Sequence, residues 1–376
     1  MKLLIVTQKV DRNDPVLGFF HRWIVEFAKH CESIIVICLY KGEHNLPKNV
    51  RVLSLGKEKY FQKEARHQRG AKRRERSFLK EKIFSRARYT IRFYKLIFRE
   101  RNNYDTVFVH MNPIYVNLGA FLWRLWGKKI GLWYAHGHVP LSLRFAEKLT
   151  DIVFTSTESG FRLPSKKVRV MGQGIDVEKF KVRDAGRMDS NRRLRIVTVG
   201  RISPVKDYET LLRAAEILAK DGIEFTLKII GDVGVQKQEA YLKKLKSEAK
   251  RMGLVEQVVF AGAVLNDQIL NYLDHADLFV NTSRTGSLDK AILEAMAAGL
   301  PVVTCNEAAY GVLSGYREIC TCPEGDADTM AKKIKRISLM DRAARRELGE
   351  ALHEIVAAEH SMEKFIERVC GVYAGK

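Results

Sequence analysis

No apolar run in this chain approaches the ~18–20 residues that a membrane-spanning helix needs, so a bilayer span is not expected. The start, Met1-Lys2-Leu3-Leu4-Ile5-Val6-Thr7, has too short an apolar stretch for a signal peptide and reads as a first buried strand. Cysteine is sparse and scattered, at 31, 38, 305, 320, 322 and 370. Cys320-Thr321-Cys322 sets two thiols at strand spacing, which is neither a zinc knuckle nor a redox pair. Several of the others lie in apolar runs, as reduced core thiols of a cytosolic protein do.

What is present is a globular composition, 46% hydrophobic and 29% charged, over 376 residues. That is too long for one ordinary domain and fits two of roughly 180 residues. Strand-like runs fall at 3–7, 33–39, 51–55, 106–110, 129–136, 152–157 and 167–171. A second series starts at Leu194-Arg195-Ile196-Val197-Thr198-Val199-Gly200 and continues at 226–231, 258–262, 278–282, 301–305 and around 319–322. Near-continuous apolar strands separated by helix-length segments mean parallel sheets covered on both faces. The fold class expected is α/β, with two Rossmann-like doubly wound domains facing a central cleft. Their bounds are 1–180 and 194–358, joined by a polar, aperiodic linker at 181–193. Helical segments run from about 341 to 374, and the last, 359–376, could pack back across the first domain.

The most informative stretch is Thr285-Gly286-Ser287-Leu288-Asp289-Lys290-Ala291-Ile292-Leu293-Glu294-Ala295-Met296-Ala297-Ala298-Gly299, set between two apolar strands. Its helix is small or apolar almost all round, and Glu294 sits inside that face. A buried carboxylate needs donors, so the position asks for a fixed internal partner or a polar ligand such as a vicinal diol. At the first strand end of the second half, Arg201 and Lys206 flank a helix start marked by Ser203-Pro204. Two cations beside a helix N-terminus suit a diphosphate; taken alone they read equally as solvated surface charges. His110 and His136 each end a strand of the first half, where either could be structural.

In combination these residues resemble glycosyltransferase family 4, of the GT-B fold, over nearly the whole chain. The matching pieces are Gly200-Arg201 with Lys206, Ile229-Ile230-Gly231-Asp232, Phe260-Ala261-Gly262, Ala276-Asp277-Leu278-Phe279-Val280 and Leu293 to Val303. Gly172-Gln173-Gly174-Ile175-Asp176 looks like the family's hinge segment. The resemblance implies retaining sugar transfer from a nucleotide-diphosphate donor, with no metal and no other cofactor. It implies that Arg201 and Lys206 hold the donor diphosphate, that Glu294 binds the ribose hydroxyls, and that backbone at Ala263-Val264 meets the base. Gly18 matches the family's glycine loop, where backbone approaches phosphates closely. His136 matches the sugar-facing histidine and is the catalytic candidate, while His110 could line the acceptor side. No Asp-x-Asp pair stands at a strand end, where a metal-dependent transferase would hold its ion. One departure stands out: the family usually has a second Glu eight positions before the ribose-binding one, and that position is Gly286. Gly286-Ser287-Leu288-Asp289 replaces the usual glycine-rich tetrad, so Asp289 or freed backbone could contact the donor sugar, the donor could be atypical, or activity could be lost.

Charge is uneven in a chain of net +21: residues 57–101 carry 17 lysines and arginines against five glutamates. Phe78, Leu79, Ile83, Phe84, Ile91, Phe93, Leu96, Ile97 and Phe98 interleave with them, as in an interfacial helix on an anionic membrane. The alternative is a helix that packs its apolar stripe on the first domain and solvates its charges. Nucleic-acid binding is not expected, since no recognised module accompanies the basic segment. The reading is therefore a cytoplasmic enzyme, peripheral on the inner face of the membrane, acting on a glycan or lipid-linked acceptor in cell-envelope glycan or glycolipid synthesis. A catalytically weakened scaffold of the same fold that binds membrane or a partner is the competing reading, and a nucleotide-sugar epimerase a more distant one.

Overall fold

The structure, a computed structural model, describes residues 1–14, 16–58, 75–180, 193–234 and 238–375, with the side chains of 75–83, 266 and 267 left aside. It divides into two compact units. The first comprises Met1–Thr155, Phe161–Met171 and Ile366–Lys376; the second comprises Ser156–Gly160 and Gly172–Phe365. The expected linker, 181–193, falls almost entirely outside the described residues, as does the 59–74 part of the basic segment.

The first unit is built on seven parallel strands: β1 (Lys2–Val10), β2 (Ser33–Lys41), β3 (Val50–Ser54), β4 (Thr106–His110), β5 (Lys129–Trp133), β6 (Ile152–Thr155) and β7 (Val168–Val170). Their order across the sheet is β3-β2-β1-β4-β5-β6-β7. Leu3 pairs with Ile34 on one side and Thr106 on the other. Leu3, Leu4, Ile5 and Val6 are all fully buried, because helices cover both faces and no side of the strand meets water. The helix Pro113–Leu125 starts with Pro113 at its first turn and Asn112 as cap, the Asn112 Oδ1 accepting from Ile114 N at 3.1 Å. It turns Tyr115, Val116, Ala120 and Trp123 inward.

The C-terminal helix Met362–Tyr373 returns to this unit, as expected for the last segment. The Tyr373 hydroxyl donates to the Val107 carbonyl at 2.8 Å, and Lys129 Nζ caps the carbonyls of Val372 and Tyr373 at 3.1 Å each. Tyr373 can lie across β5 only because residue 131 is glycine: a Cβ there would fall 2.0 Å from its hydroxyl.

The second unit has five parallel strands: β8 (Leu194–Val199), β9 (Phe225–Ile230), β10 (Val258–Gly262), β11 (Leu278–Asn281) and β12 (Val302–Thr304), in the order β10-β9-β8-β11-β12. The strand expected around 319–322 is instead a one-turn helix, Arg317–Cys320, followed by a single parallel bridge from Thr321 to Thr304. Thr321 turns both its N–H and its hydroxyl back to the Arg317 carbonyl, at 3.0 and 2.9 Å, which keeps the segment coiled. Strand order reverses between β1 and β4 in the first unit and between β8 and β11 in the second. Carboxyl ends of strands at such reversals are where doubly wound sheets bind ligands.

Candidate active site

At the reversal of the second unit, backbones crowd together. Gly200 N donates to Ile230 O at 2.9 Å and Gly231 N to Gly262 O at 2.8 Å. A Cβ on Gly231 (φ 137°) would fall 2.0 Å from the Gly200 carbonyl oxygen, so glycine alone lets β8 and β9 end in contact. Arg201 leaves this floor exposed, and no described residue pairs with its guanidinium. A short 3-10 turn, Pro204–Lys206, leads through Asp207 into the helix Tyr208–Lys220. Asp207 is left-handed (φ 48°), an uncommon conformation for a residue other than glycine. Its buried carboxylate accepts from the Thr210 hydroxyl at 2.6 Å and pairs with Arg284.

Lys206 is held firmly. Its Nζ donates to Asp289 Oδ2 at 2.6 Å and to Ser283 Oγ at 3.2 Å, and Asn281 Nδ2 meets the same carboxylate oxygen at 3.1 Å. Both charged side chains are nearly enclosed, 13% and 14% exposed. Asp289 precedes the helix Lys290–Ala297 without its side chain capping it, and turns to the lysine instead. The loop before it takes Gly286 into the left-handed region (φ 64°), which a glutamate at that position would enter only with strain. Two side chains clamp this loop: Asn306 Nδ2 donates to Ser287 O at 2.9 Å, and Gln173 Nε2 to Leu288 O at 2.8 Å.

Glu294 lies half-buried on the helix Lys290–Ala297, among the fully buried Ile292, Leu293, Ala295 and Met296. No described residue donates a hydrogen bond to its carboxylate. Burial pushes its pKa up, while the nearby Lys290 and Lys179 pull it down. Burial also lowers the Lys290 ammonium to about 7, against the pull of Glu294. The helix is fixed from behind, where His353 Nδ1 lies 2.6 Å from the Ala297 carbonyl and a Cβ on Gly349 would fall 2.0 Å from Gly299 O. Ala263, exposed, and Val264, half-buried, follow Gly262 at the end of β10.

In the first unit, Gly18 opens the helix Gly18–His30, and its N–H donates to Asp14 O at 2.9 Å. A Cβ there would fall 2.9 Å from the Arg12 carbonyl oxygen, so glycine is needed for the loop itself to close on the helix. His110 is only 2% exposed. Its Nδ1 lies 3.1 Å from the Thr7 hydroxyl, and its ring stacks on Phe20 at 3.9 Å with Trp23 edge-on. It is thus placed inside an aromatic cluster. His136 is exposed just after β5, and His138 N donates to its Nδ1 at 2.9 Å. The proton of the neutral ring therefore sits on Nε2, which makes that nitrogen a donor.

The structure thus joins Lys206 to the 281–289 segment, and places Arg201, Ala263-Val264 and Glu294 after β8, β10 and β11 of one sheet. Sequence reasoning missed Asn281, Ser283 and Asn306, and singled out Gln173 only as part of the hinge segment. The only signal was polarity at a strand end, as in Asn281 directly after the apolar Leu278-Phe279-Val280. The single Asp-x-Asp triplet, Asp326-Ala327-Asp328, is a helix cap: Asp326 accepts from Thr329 N at 2.8 Å and from its hydroxyl at 2.6 Å.

Residues 193–339, which hold all of these second-unit strands, match the family model described as glycosyl transferases group 1. That match takes in the second unit from its first strand to its last and makes this part of the chain similar to glycosyl transferases group 1. The chain is 33% identical over 188 residues to the amylovoran biosynthesis glycosyltransferase AmsK of Erwinia amylovora, covering 46% of this chain and 43% of that protein. It is 26% identical over 265 residues to a GDP-mannose-dependent alpha-(1-6)-phosphatidylinositol monomannoside mannosyltransferase of Mycobacterium tuberculosis, covering 63% of this chain and 67% of that one. The chain thus spans less than half the length of the Erwinia relative. Anabaena HepE, solved with UDP and glucose, superposes with a TM-score of 0.73 over 100% of both chains at 16% identity, which shows the shared GT-B fold.

Proposed function

We propose that this chain is a glycosyltransferase that moves a sugar from a nucleotide-diphosphate donor to a glycan or lipid-linked acceptor in cell-envelope glycan or glycolipid synthesis, with retention of anomeric configuration and without a metal. The observation that carries the reading is the Glu294 carboxylate, half-buried in an apolar helix and given no hydrogen bond by any described residue. A ribose diol supplies two donors to such a group. Arg201, which no described residue pairs, and Lys206 offer charge to the diphosphate, which leaves with a negative charge that cations and helix N-termini stabilise. His136, exposed after β5, is the residue assigned to the transferred sugar. The names of the relatives agree with this chemistry: one is GDP-mannose-dependent, and the HepE structure holds UDP and glucose. In this reading the protein is cytoplasmic and peripheral on the inner face of the membrane, with residues 57–101 supplying basic charge; no helix among the described residues is long and apolar enough to cross a bilayer.

The test is a thermal-shift screen against UDP, GDP, ADP and their sugars, repeated with Glu294→Ala. A ligand bound only by the folded state raises the melting temperature by mass action. A shift with one donor that vanishes in the variant is expected; no shift with any donor, or a shift that survives in the variant, refutes the assignment of the site. The weakened-scaffold reading is favoured by one observation, the neutralisation of Lys206 by Asp289 in a loop that lacks a carboxylate at 286. It predicts membrane or partner binding without turnover.

A further inference from the structure

Three helices of the first unit cover one face of its sheet and share one core: Glu75–Arg99, Pro113–Leu125 and Leu141–Leu149. They are neighbours. The Tyr94 hydroxyl donates to Leu118 O at 3.0 Å, the Phe98 ring lies 5.9 Å from Trp126, and Asn117 Nδ2 donates to Ser142 O at 2.9 Å. Their outward sides therefore form one surface, and that surface is apolar where a solvated face should be polar. Of sixteen large hydrophobic side chains exposed among the described residues, nine stand on these three helices, which makes a cluster rather than the usual scatter. Ile91, Tyr94 and Phe98 follow helical spacing on the first; Ile114, Phe121 and Leu125 on the second; Leu141 and Phe145 on the third. Phe121 is 78% exposed and Leu141 74%.

The charges on this surface have one sign. Arg88, Arg92, Lys95, Arg99, Arg124, Arg144 and Lys148 are exposed on it. From 84 to 99, 113 to 125 and 141 to 149 the only acidic residue is Glu147, which is taken by the Ser165 hydroxyl at 2.6 Å and by Lys167.

We infer that this three-helix face docks on an anionic lipid bilayer, with Phe121, Leu125, Leu141 and Phe145 entering the headgroup boundary and the flanking arginines and lysines meeting the phosphates. The inference deepens the membrane-linked reading above and rests on it, but assigns the contact to helices beyond the basic segment. Aromatic and aliphatic side chains ringed by cations and almost free of anions complement such a surface. A second copy of the chain is a poor occupant, since it would set cation against cation.

The experiment is co-sedimentation of the full chain with vesicles of phosphatidylglycerol in phosphatidylcholine, with donor binding followed by thermal shift in the same preparations. Phe121→Ser with Leu125→Ser should lower the vesicle partition coefficient about tenfold or more. Arg124→Gln with Arg144→Gln should lower it about fivefold per charge, and added salt should remove that difference. Unchanged partition of the Phe121/Leu125 variant, or equal binding to phosphatidylcholine alone, overturns the assignment. So does a concentration-dependent dimer that this variant dissolves, which would give the face to a second copy. Both variants should keep the unliganded melting temperature and any nucleotide-induced shift. Vesicle binding without a donor shift would sink the transferase reading and leave this surface standing.

Discussion

Asp289→Asn tests how the diphosphate is received. Lys206 carries the charge that the reading assigns to the donor, yet its ammonium already sits 2.6 Å from the Asp289 carboxylate, with both side chains nearly enclosed. A lysine bridging that carboxylate and a phosphate holds their charge centres about 8 Å apart, and at an effective dielectric near 20 the repulsion is about 2 kcal/mol. The amide keeps the shape and the contact with Asn281 but removes this opposition. Calorimetric titration of UDP, GDP and ADP should therefore show the preferred nucleotide binding roughly thirtyfold tighter, at about 1.4 kcal/mol per decade. The gain should disappear when Lys206→Ala is added, because the two residues act as a pair. Weaker binding by Asp289→Asn would refute the argument and make the carboxylate a group that positions Lys206. Unchanged binding would mean that the diphosphate does not reach Lys206.

Arg201→Ala should weaken nucleotide diphosphate binding by about 1.5–3 kcal/mol, the worth of a charged hydrogen bond, and leave the denaturation midpoint unchanged, since no described residue pairs with the guanidinium; a shifted midpoint would show a structural role. Lys290→Met should alter the pH dependence of stability. Burial lowers the folded pKa of Lys290 to about 7 from the ordinary 10.5, so the unfolded chain binds more protons between those values. Wild-type stability must rise with pH across that window relative to the variant, and melting curves from pH 6 to 10 that run parallel for the two proteins would exclude it. Gly231→Ala should cost about 3 kcal/mol or more, through a forbidden backbone conformation and a clash with the Gly200 carbonyl; a chemical denaturation midpoint equal to wild type would show that β8 and β9 separate freely at their ends.

Much of the architecture was legible because burial on both faces makes a strand apolar throughout. Leu3 to Val6 and Leu278 to Val280 announce themselves without any pattern of alternation. The segment around 319–322 misled because two cysteines flanking a threonine look extended, whereas the bonds from Thr321 to the Arg317 carbonyl decide its shape. Arg201, Lys206 and Glu294 could be picked out by residue type at strand and helix ends. The pairing of Lys206 with Asp289 could not, since it joins residues 83 positions apart through a turn whose path depends on Gly286 being left-handed. The clamps from Gln173 and Asn306 were hidden for the same reason: a side-chain amide bonded to a distant backbone leaves no periodic trace. His110 shows the reverse, a residue whose strand-end position drew attention although its ring is packed on Phe20.

The return of residues 366–375 to the first unit sets an order on how the protein is made. Val107 and Gly131 emerge from the ribosome well ahead of the tyrosine that fills the space over Gly131 and bonds the Val107 carbonyl, which follows Val107 by 266 residues. The first unit must wait, with this part of its core open, while the whole of the second is translated. A chain released after residue 365 but before residue 373 would carry a finished second unit and an unsealed first one.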